Sequence, residues 1–175
     1  MLDEKWLLVE ERIPVEAFEP EKNLVKLAMK TIFVLRDGWT STYPRYYVEN
    51  IFEALNEPGE WYLDRTTGKL YYVPMSGEKL DSIEVIAPRL KWRLVEFRGS
   101  SSEYVEHIVL RGLVFEHADW EYVLSSQAAF MVPGAIYLER AHSCIIEDCV
   151  IRHVGGYAIE VGRGCSDIRI VGNDI

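Results

Sequence analysis

Glu96 and Glu160 occupy the same place in two similar phrases, LVEFRG (94–99) and AIEVGR (158–163), with a third, AIYLER (135–140), between them. Two carboxylates held about 6.5 to 9.5 Å apart can act as general acid and general base on a glycosidic bond. If the three phrases are strands stacked at the ordinary spacing of about 4.8 Å, Glu96 and Glu160 lie two strands apart, roughly 9 to 10 Å at the α-carbons. The spacing makes the pair candidate catalytic residues. An outward column of carboxylates is nevertheless more simply a solvated face, and that reading is favoured.

His117 and His153 form a second group. Each stands two residues beyond an apolar residue, Phe115 or Ile151, in similar phrases, and Asp119 and Trp120 closely follow the first. Histidine exchanges protons near neutral pH and donates hydrogen bonds, and a sugar ring packs well on an indole face. These four residues are expected to form a sugar subsite, with His117, His153 and Trp120 lining one depression. Tyr137, between the two glutamates in the aligned column, is added as a substrate contact. The rival account is a side-chain ladder at the corner of a coil that satisfies backbone groups. Glu139 and Glu147 have no acidic counterpart and are read as surface, while Glu60 and Asp64 in GEWYLD are read as parts of a hairpin.

Both groups depend on an internal repeat. VLRGLVF (109–115), IIEDCVI (145–151) and RIVGNDI (169–175) align at offsets of 36 and 24 residues, and the LVEFRG set at 41 and 23. A period of this size made of short apolar-alternating runs, with no helix-length segment, is the mark of a parallel β-solenoid. The leucine framework of a leucine-rich repeat is absent, and a β-sandwich would not repeat at a fixed offset. Most of the extra length in the first copy is placed at ADWEYVLSSQAAFMVPG (118–134). Alternation turns Val95, Phe97, Ile136, Leu138, Ile159 and Val161 inward, and Glu96, Tyr137 and Glu160 outward. Ile136 is predicted to stack on Ile159, and Leu138 on Val161, in parallel and in register. Gly155, Gly156, Gly162 and Gly164 are read as turn residues supplying positive φ.

Residues 1–82 have another texture and are read as a β-rich accessory domain, with 83–175 as the repeating part. RTTGKL is expected to turn a hairpin between EWYLD and KLYYVP. YVENIFEALNE carries Val48, Ile51, Phe52 and Leu55 at helical spacing, with Gly59 as its stop. LVKLAMKTIFVL (24–35) fits helix or strand. IEVIAP (83–88) is counted among the apolar-alternating runs of the repeat.

Composition bounds the partners. The chain has 175 residues, 49% hydrophobic and 27% charged, with a net charge of −9. That charge argues against nucleic acid and anionic membranes as partners, both of which call for clustered Lys and Arg. No apolar run is long enough for a membrane-spanning helix, and MLDEKWLLVEER lacks the basic start and long apolar core of a signal peptide. The three cysteines, Cys144, Cys149 and Cys165, lack the close-pair spacing of a zinc site and are read as free thiols, Cys149 as core filling and Cys165 at a turn. No metal site or cofactor is expected.

YVENIFEALNEPGEWYLDRTTGKLYYVP (47–74), followed by LRGLVFEHADW and GGYAIEVGRGCSDIRIVGN, resembles the right-handed parallel β-helix glycoside hydrolases of the pectin-lyase-like superfamily, in particular glycoside hydrolase family 141. The first stretch resembles the small β-rich domain that interrupts the helix in that family, and the other two resemble rungs that follow it. The resemblance implies an all-β fold, with right-handed parallel β-helix rungs preceded by the inserted domain. It also implies a secreted or periplasmic enzyme that hydrolyses plant-type polysaccharide through two carboxylates. Members of the family are several times longer, so the chain is expected to be a fragment, inactive alone, that self-associates through an exposed solenoid edge. The other reading is a non-catalytic carbohydrate-binding or adhesin-like β-helix.

Overall fold

The computed structural model describes residues 11–31, 45–120 and 132–175. These residues are mostly β, in small sheets of two or three strands, and helix among them is confined to three short 3-10 turns. The chain divides into two compact units, one formed by Met1–Ile32 with Ala87–Ile175 and the other by Phe33–Ile86.

In the first unit, β1 (Val15–Glu19) and β2 (Leu24–Leu27) pair antiparallel. Asn23 turns the chain between them with φ 50. The ambiguous run thus begins as strand, and its residues from 32 onward lie outside the described residues.

The second unit is built on the antiparallel hairpin β3 (Trp61–Asp64) and β4 (Lys69–Tyr72). Asp64 shapes the turn as the sequence predicts. Its carboxylate accepts the Thr66 and Thr67 N–H groups at 2.9 and 3.3 Å and the Thr67 hydroxyl at 2.5 Å. Glu60 likewise accepts the N–H groups of Asn56 and Glu57, each at 2.9 Å. The helix expected over YVENIFEALNE does not form. Asn50 is left-handed (φ 57), Ile51 is extended, and only Phe52–Ala54 makes a 3-10 turn. So short a helix is marginal without a surface to bury its apolar stripe, and Val48 and Ile51 stay exposed. Phe52 packs edge-on against Tyr62 and Tyr71 instead, with centroids 5.4 and 5.0 Å away.

The rest of the first unit repeats. IEVIAP, expected to belong to the repeat, forms no strand, and its exposed Val85 and Ile86 fall in the second unit. The first pass runs through β5 (Val95–Arg98), β6 (Val105–Glu106), β7 (Val109–Arg111) and β8 (Val114–Ala118). The second follows with β9 (Gly134–Glu139), β10 (Ala141–His142), β11 (Ile145–Glu147) and β12 (Val150–Val154). A third supplies β13 (Tyr157–Val161) and β14 (Arg169–Val171). Each strand pairs in parallel with its counterpart, giving the sheets β13-β9-β5, β10-β6, β14-β11-β7 and β12-β8. Ile136 pairs with Ile159 and Leu138 with Val161, as the offsets predict.

The register also locates the extra residues of the first pass. The separation of paired residues falls from 41 at Val95↔Ile136 to 36 at Val105↔Ala141, so part of the insertion lies between β5 and β6. It falls again, from 36 at Ala118↔Val154 to 23 at Tyr157↔Gly134, so most lies between β8 and β9.

Bends recur at matching places. His107, Ser143 and Asp167 share left-handed backbone at one corner, and Gly112, Asp148 and Gly172 at the next. A single left-handed residue redirects a strand sharply, and Gly, Asn, Asp and His tolerate it best. Asn173 adds a side-chain link, accepting the Cys149 N–H at 3.0 Å and donating to the Ile146 carbonyl at 2.9 Å.

The core lies between these sheets and contains Phe97, Ile136, Leu138, Ala141, Cys144, Ile146, Cys149 and Ile151. Burying each of the larger side chains contributes about 1.5 to 3 kcal/mol. All three thiols are free, with Cys144 and Cys149 buried and Cys165 half-buried. Val161, expected inward, is 48% exposed despite its register with Leu138, because β13 is an edge strand of its sheet. The glycine expectation holds only at Gly164, which has φ 71. Gly155, Gly156 and Gly162 are instead sites of close approach, where an added Cβ would lie 2.5 Å from Trp120, 2.2 Å from the Pro133 carbonyl and 2.8 Å from the Leu138 carbonyl.

Candidate functional site

The parallel register brings Glu96, Tyr137 and Glu160 into one column across β5, β9 and β13. Arg93, just before β5, spans this column. Its guanidinium lies 3.7 Å from the centroid of the Tyr137 ring and donates to Glu96 at 3.1 Å and to Glu160 at 3.3 Å. Arg98 donates to Glu96 at 2.5 and 3.1 Å, and Glu160 also accepts the Gly134 N–H at 3.0 Å. Arg98, and then Arg93, hold the Glu96 carboxyl at a pKa of about 2. A group that ionised has no proton to deliver near neutral pH, whereas a general acid needs its pKa raised. Glu96 and Glu160 are thus engaged in an arginine-bridged ladder. An open recess of about 280 Å³ beside them is lined by Trp92, Arg93, Glu96 and Pro133.

Glu139, read from the sequence as surface, is buried at 8% exposure. It accepts Arg163 at 2.6 Å, Arg140 at 3.2 Å and the Tyr137 hydroxyl at 3.2 Å, with Arg98 at 3.7 Å. Arg163 in particular holds its carboxyl below the usual range. Burial, and then Glu139, push the Tyr137 phenol up. Glu147 is also largely covered and pairs with Arg111. These guanidiniums were missed, although Arg140 and Arg163 close two of the aligned phrases and Arg98 precedes the Gly99 that closes the third. Arg93 lies outside them and left no signal.

The second group sits where β8 and β12 end. His117 and His153 stack face to face, with ring centroids 5.2 Å apart and planes at 2°. Glu116 approaches His117 Nε2 at 3.6 Å and accepts Arg152 at 2.8 Å. Arg152, with smaller help from the histidines, keeps Glu116 below the usual carboxylate range. Trp120 belongs to this corner, because its backbone presses on Gly155, two residues past His153. Its indole side is half exposed. Asp119 holds the approach, donating its N–H to Leu90 at 2.9 Å and accepting the Trp120 N–H at 2.8 Å. The corner therefore gathers His117, Asp119, Trp120 and His153, while Tyr137 belongs to the arginine ladder.

Among the described residues no group of three His, Cys, Asp or Glu could hold a metal ion, and no helix is long and apolar enough to cross a membrane.

Residues 30–75 match the family model of the GH141 insertion domain. The match takes in the whole of the 47–74 stretch and relates the chain to the family 141 glycoside hydrolases. No curated protein and no solved structure matches the chain.

Proposed function

We propose that this chain is part of a secreted or periplasmic glycoside hydrolase acting on plant-type polysaccharide. In this reading the stacked parallel strands are rungs of a right-handed β-helix of the pectin-lyase-like kind. The match to the GH141 insertion domain carries the reading. The in-register parallel sheets of the other unit fit what such an enzyme would need. The saccharide would lie at the histidine corner, against Trp120, with His117, His153 and Asp119 supplying polar contacts. Glu96 and Glu160, tied by arginines, serve the scaffold, and the catalytic acids are other residues.

A second reading is a carbohydrate-binding β-helix without catalysis, favoured by the engagement of both outward carboxylates, Glu96 and Glu160, with arginines. Native gels containing xylan, pectin or fucosylated polysaccharide, run beside an assay for released reducing sugar, separate the two. The protein carrying these residues is expected to be retarded by one of the polymers and to release sugar from it. Binding without release selects the second reading, and no binding sinks both. For the 175-residue chain alone the expected result is binding without turnover, and turnover would restore Glu96 or Glu160 as candidates.

A further inference from the structure

Fixed charge surrounds the stacked pair at the histidine corner. His117 is half-buried and His153 is exposed, so protons reach both rings from solvent. Glu116 on β8 lies 3.6 Å from His117 Nε2 and accepts Arg152 of β12 at 2.8 Å. Asp119, just after β8, accepts the Trp120 N–H and donates its own to the carbonyl of Leu90, which Arg89 and Lys91 flank. With one proton on the pair, one imidazolium and Arg152 are balanced by Glu116 and Asp119. A second proton puts like charges on rings whose centroids are 5.2 Å apart. Three cations then stand against two anions, and Arg89 and Lys91 offer no relief. Like charges so close oppose the second protonation.

The same two strand ends hold Trp120. Ala118 and Val154, each one residue past a histidine, pair with one another, and the Gly155 N–H donates to the Ala118 carbonyl at 3.1 Å. The Trp120 main chain lies so close to Gly155 that an added Cβ would meet it at 2.5 Å. Both histidines have left-handed backbone, φ 65 and 53, so the chain bends at each of them. Parting the rings therefore displaces the bend that carries Trp120, three residues beyond His117.

We propose that the His117–His153 stack is a proton-operated latch that sets the position of Trp120, closed with at most one proton on the pair and open with two. The closed corner takes the second proton less readily than the open one, so falling pH favours opening. Histidine in general exchanges its proton at about pH 6.5, which places the change in mildly acidic solution. The latch stands on the geometry of the corner alone, whereas acid release of a sugar from Trp120 rests on the saccharide reading above.

The test follows the Trp120 indole N–H and the ring C–H signals of His117 and His153 by NMR in the 175-residue chain, from about pH 8 to about pH 5 at low salt. The Trp120 signal is expected to hold through the first histidine proton and to move with the second. Glu116→Gln should raise the pH of that movement by about half a unit, and Arg152→Gln should lower it. Higher salt should also move it to lower pH, by screening the repulsion. His153→Asn keeps a residue that tolerates left-handed backbone but cannot take a charge, and should leave the Trp120 signal independent of pH. A Trp120 signal that never moves, one that moves with the first proton, or one that moves equally in His153→Asn would each overturn the latch. A xylose trisaccharide titrated at about pH 7.5 and about pH 5.5 is expected to bind at least about fivefold more weakly in acid. Equal affinity at both, with Trp120 moving, defeats acid release and leaves the latch. No binding at either defeats the saccharide reading and also leaves the latch.

Discussion

The imidazole of His153 lies flat over that of His117, with centroids 5.2 Å apart and planes 2° from parallel. The two residues are neighbours because β12 pairs with β8 in register, and both hold left-handed backbone, φ 65 at His117 and 53 at His153. If this corner carries saccharide, removing one ring removes both a stacking partner and a polar contact. His153→Ala is expected to weaken oligosaccharide binding by about fivefold, the equivalent of about 1 kcal/mol. NMR titration of the remaining His117 and Trp120 signals checks this. Unchanged affinity, with those signals still, would remove the corner from the binding site.

Acid should dissolve the ladder on β5, β9 and β13. Glu96 ionises at a pKa of about 2 in the folded chain, held down by Arg98 and then Arg93, against about 4.3 when unfolded. The folded value is the lower one, so its contribution is complete above about pH 4.3 and is lost as pH falls through about 2. The carboxylate is 37% exposed, and solvent screening keeps the contribution below about 1 kcal/mol. Urea midpoints should show the wild type more stable than Glu96→Gln at pH 6, with the gap closing by pH 2. A gap that widens in acid would reverse the sign of this account.

Two residues of one column should respond differently to truncation. Leu138 is fully buried while its partner Val161 is 48% exposed. Leu138→Ala is expected to cost about 2 to 5 kcal/mol through lost transfer energy and a cavity. Val161→Ala should cost less than about 1 kcal/mol. Equilibrium unfolding decides it, and equal costs would mean that β13 is covered in solution.

Gly155 tests close approach against backbone freedom. A methyl group there meets Trp120 main-chain and Cβ atoms at 2.5 to 2.6 Å, which cannot yield without moving the segment. Gly155→Ala is expected to cost about 1 to 3 kcal/mol and to shift the Trp120 indole signal. A stable variant with an unmoved signal would contradict this packing.

How much of this was legible in the sequence follows from the range of each interaction. Strand alternation is a property of local backbone, and equal spacing of similar phrases brings each residue onto its counterpart. The pairings Ile136–Ile159 and Leu138–Val161, and the stack of His117 on His153, were therefore readable from offsets alone. The Asp64 turn was readable for the same reason, since its partners lie within three residues.

Only tertiary structure decided what these residues meet from outside their own strand. Arg93 reaches Glu160 across 67 positions, and no periodicity marks it. Glu139 looked like surface because no acid aligns with it in the other phrases, yet it is buried against its neighbour Arg140 and against Arg98 and Arg163 from the adjoining passes. Gly155, Gly156 and Gly162 are glycines because another segment crosses them, not because their own backbone bends. The helical spacing of Val48, Ile51, Phe52 and Leu55 gave way to Phe52 packing on a hairpin. Period and register follow from the chain's local geometry, whereas charge partners and close approaches depend on which passes the loops bring side by side.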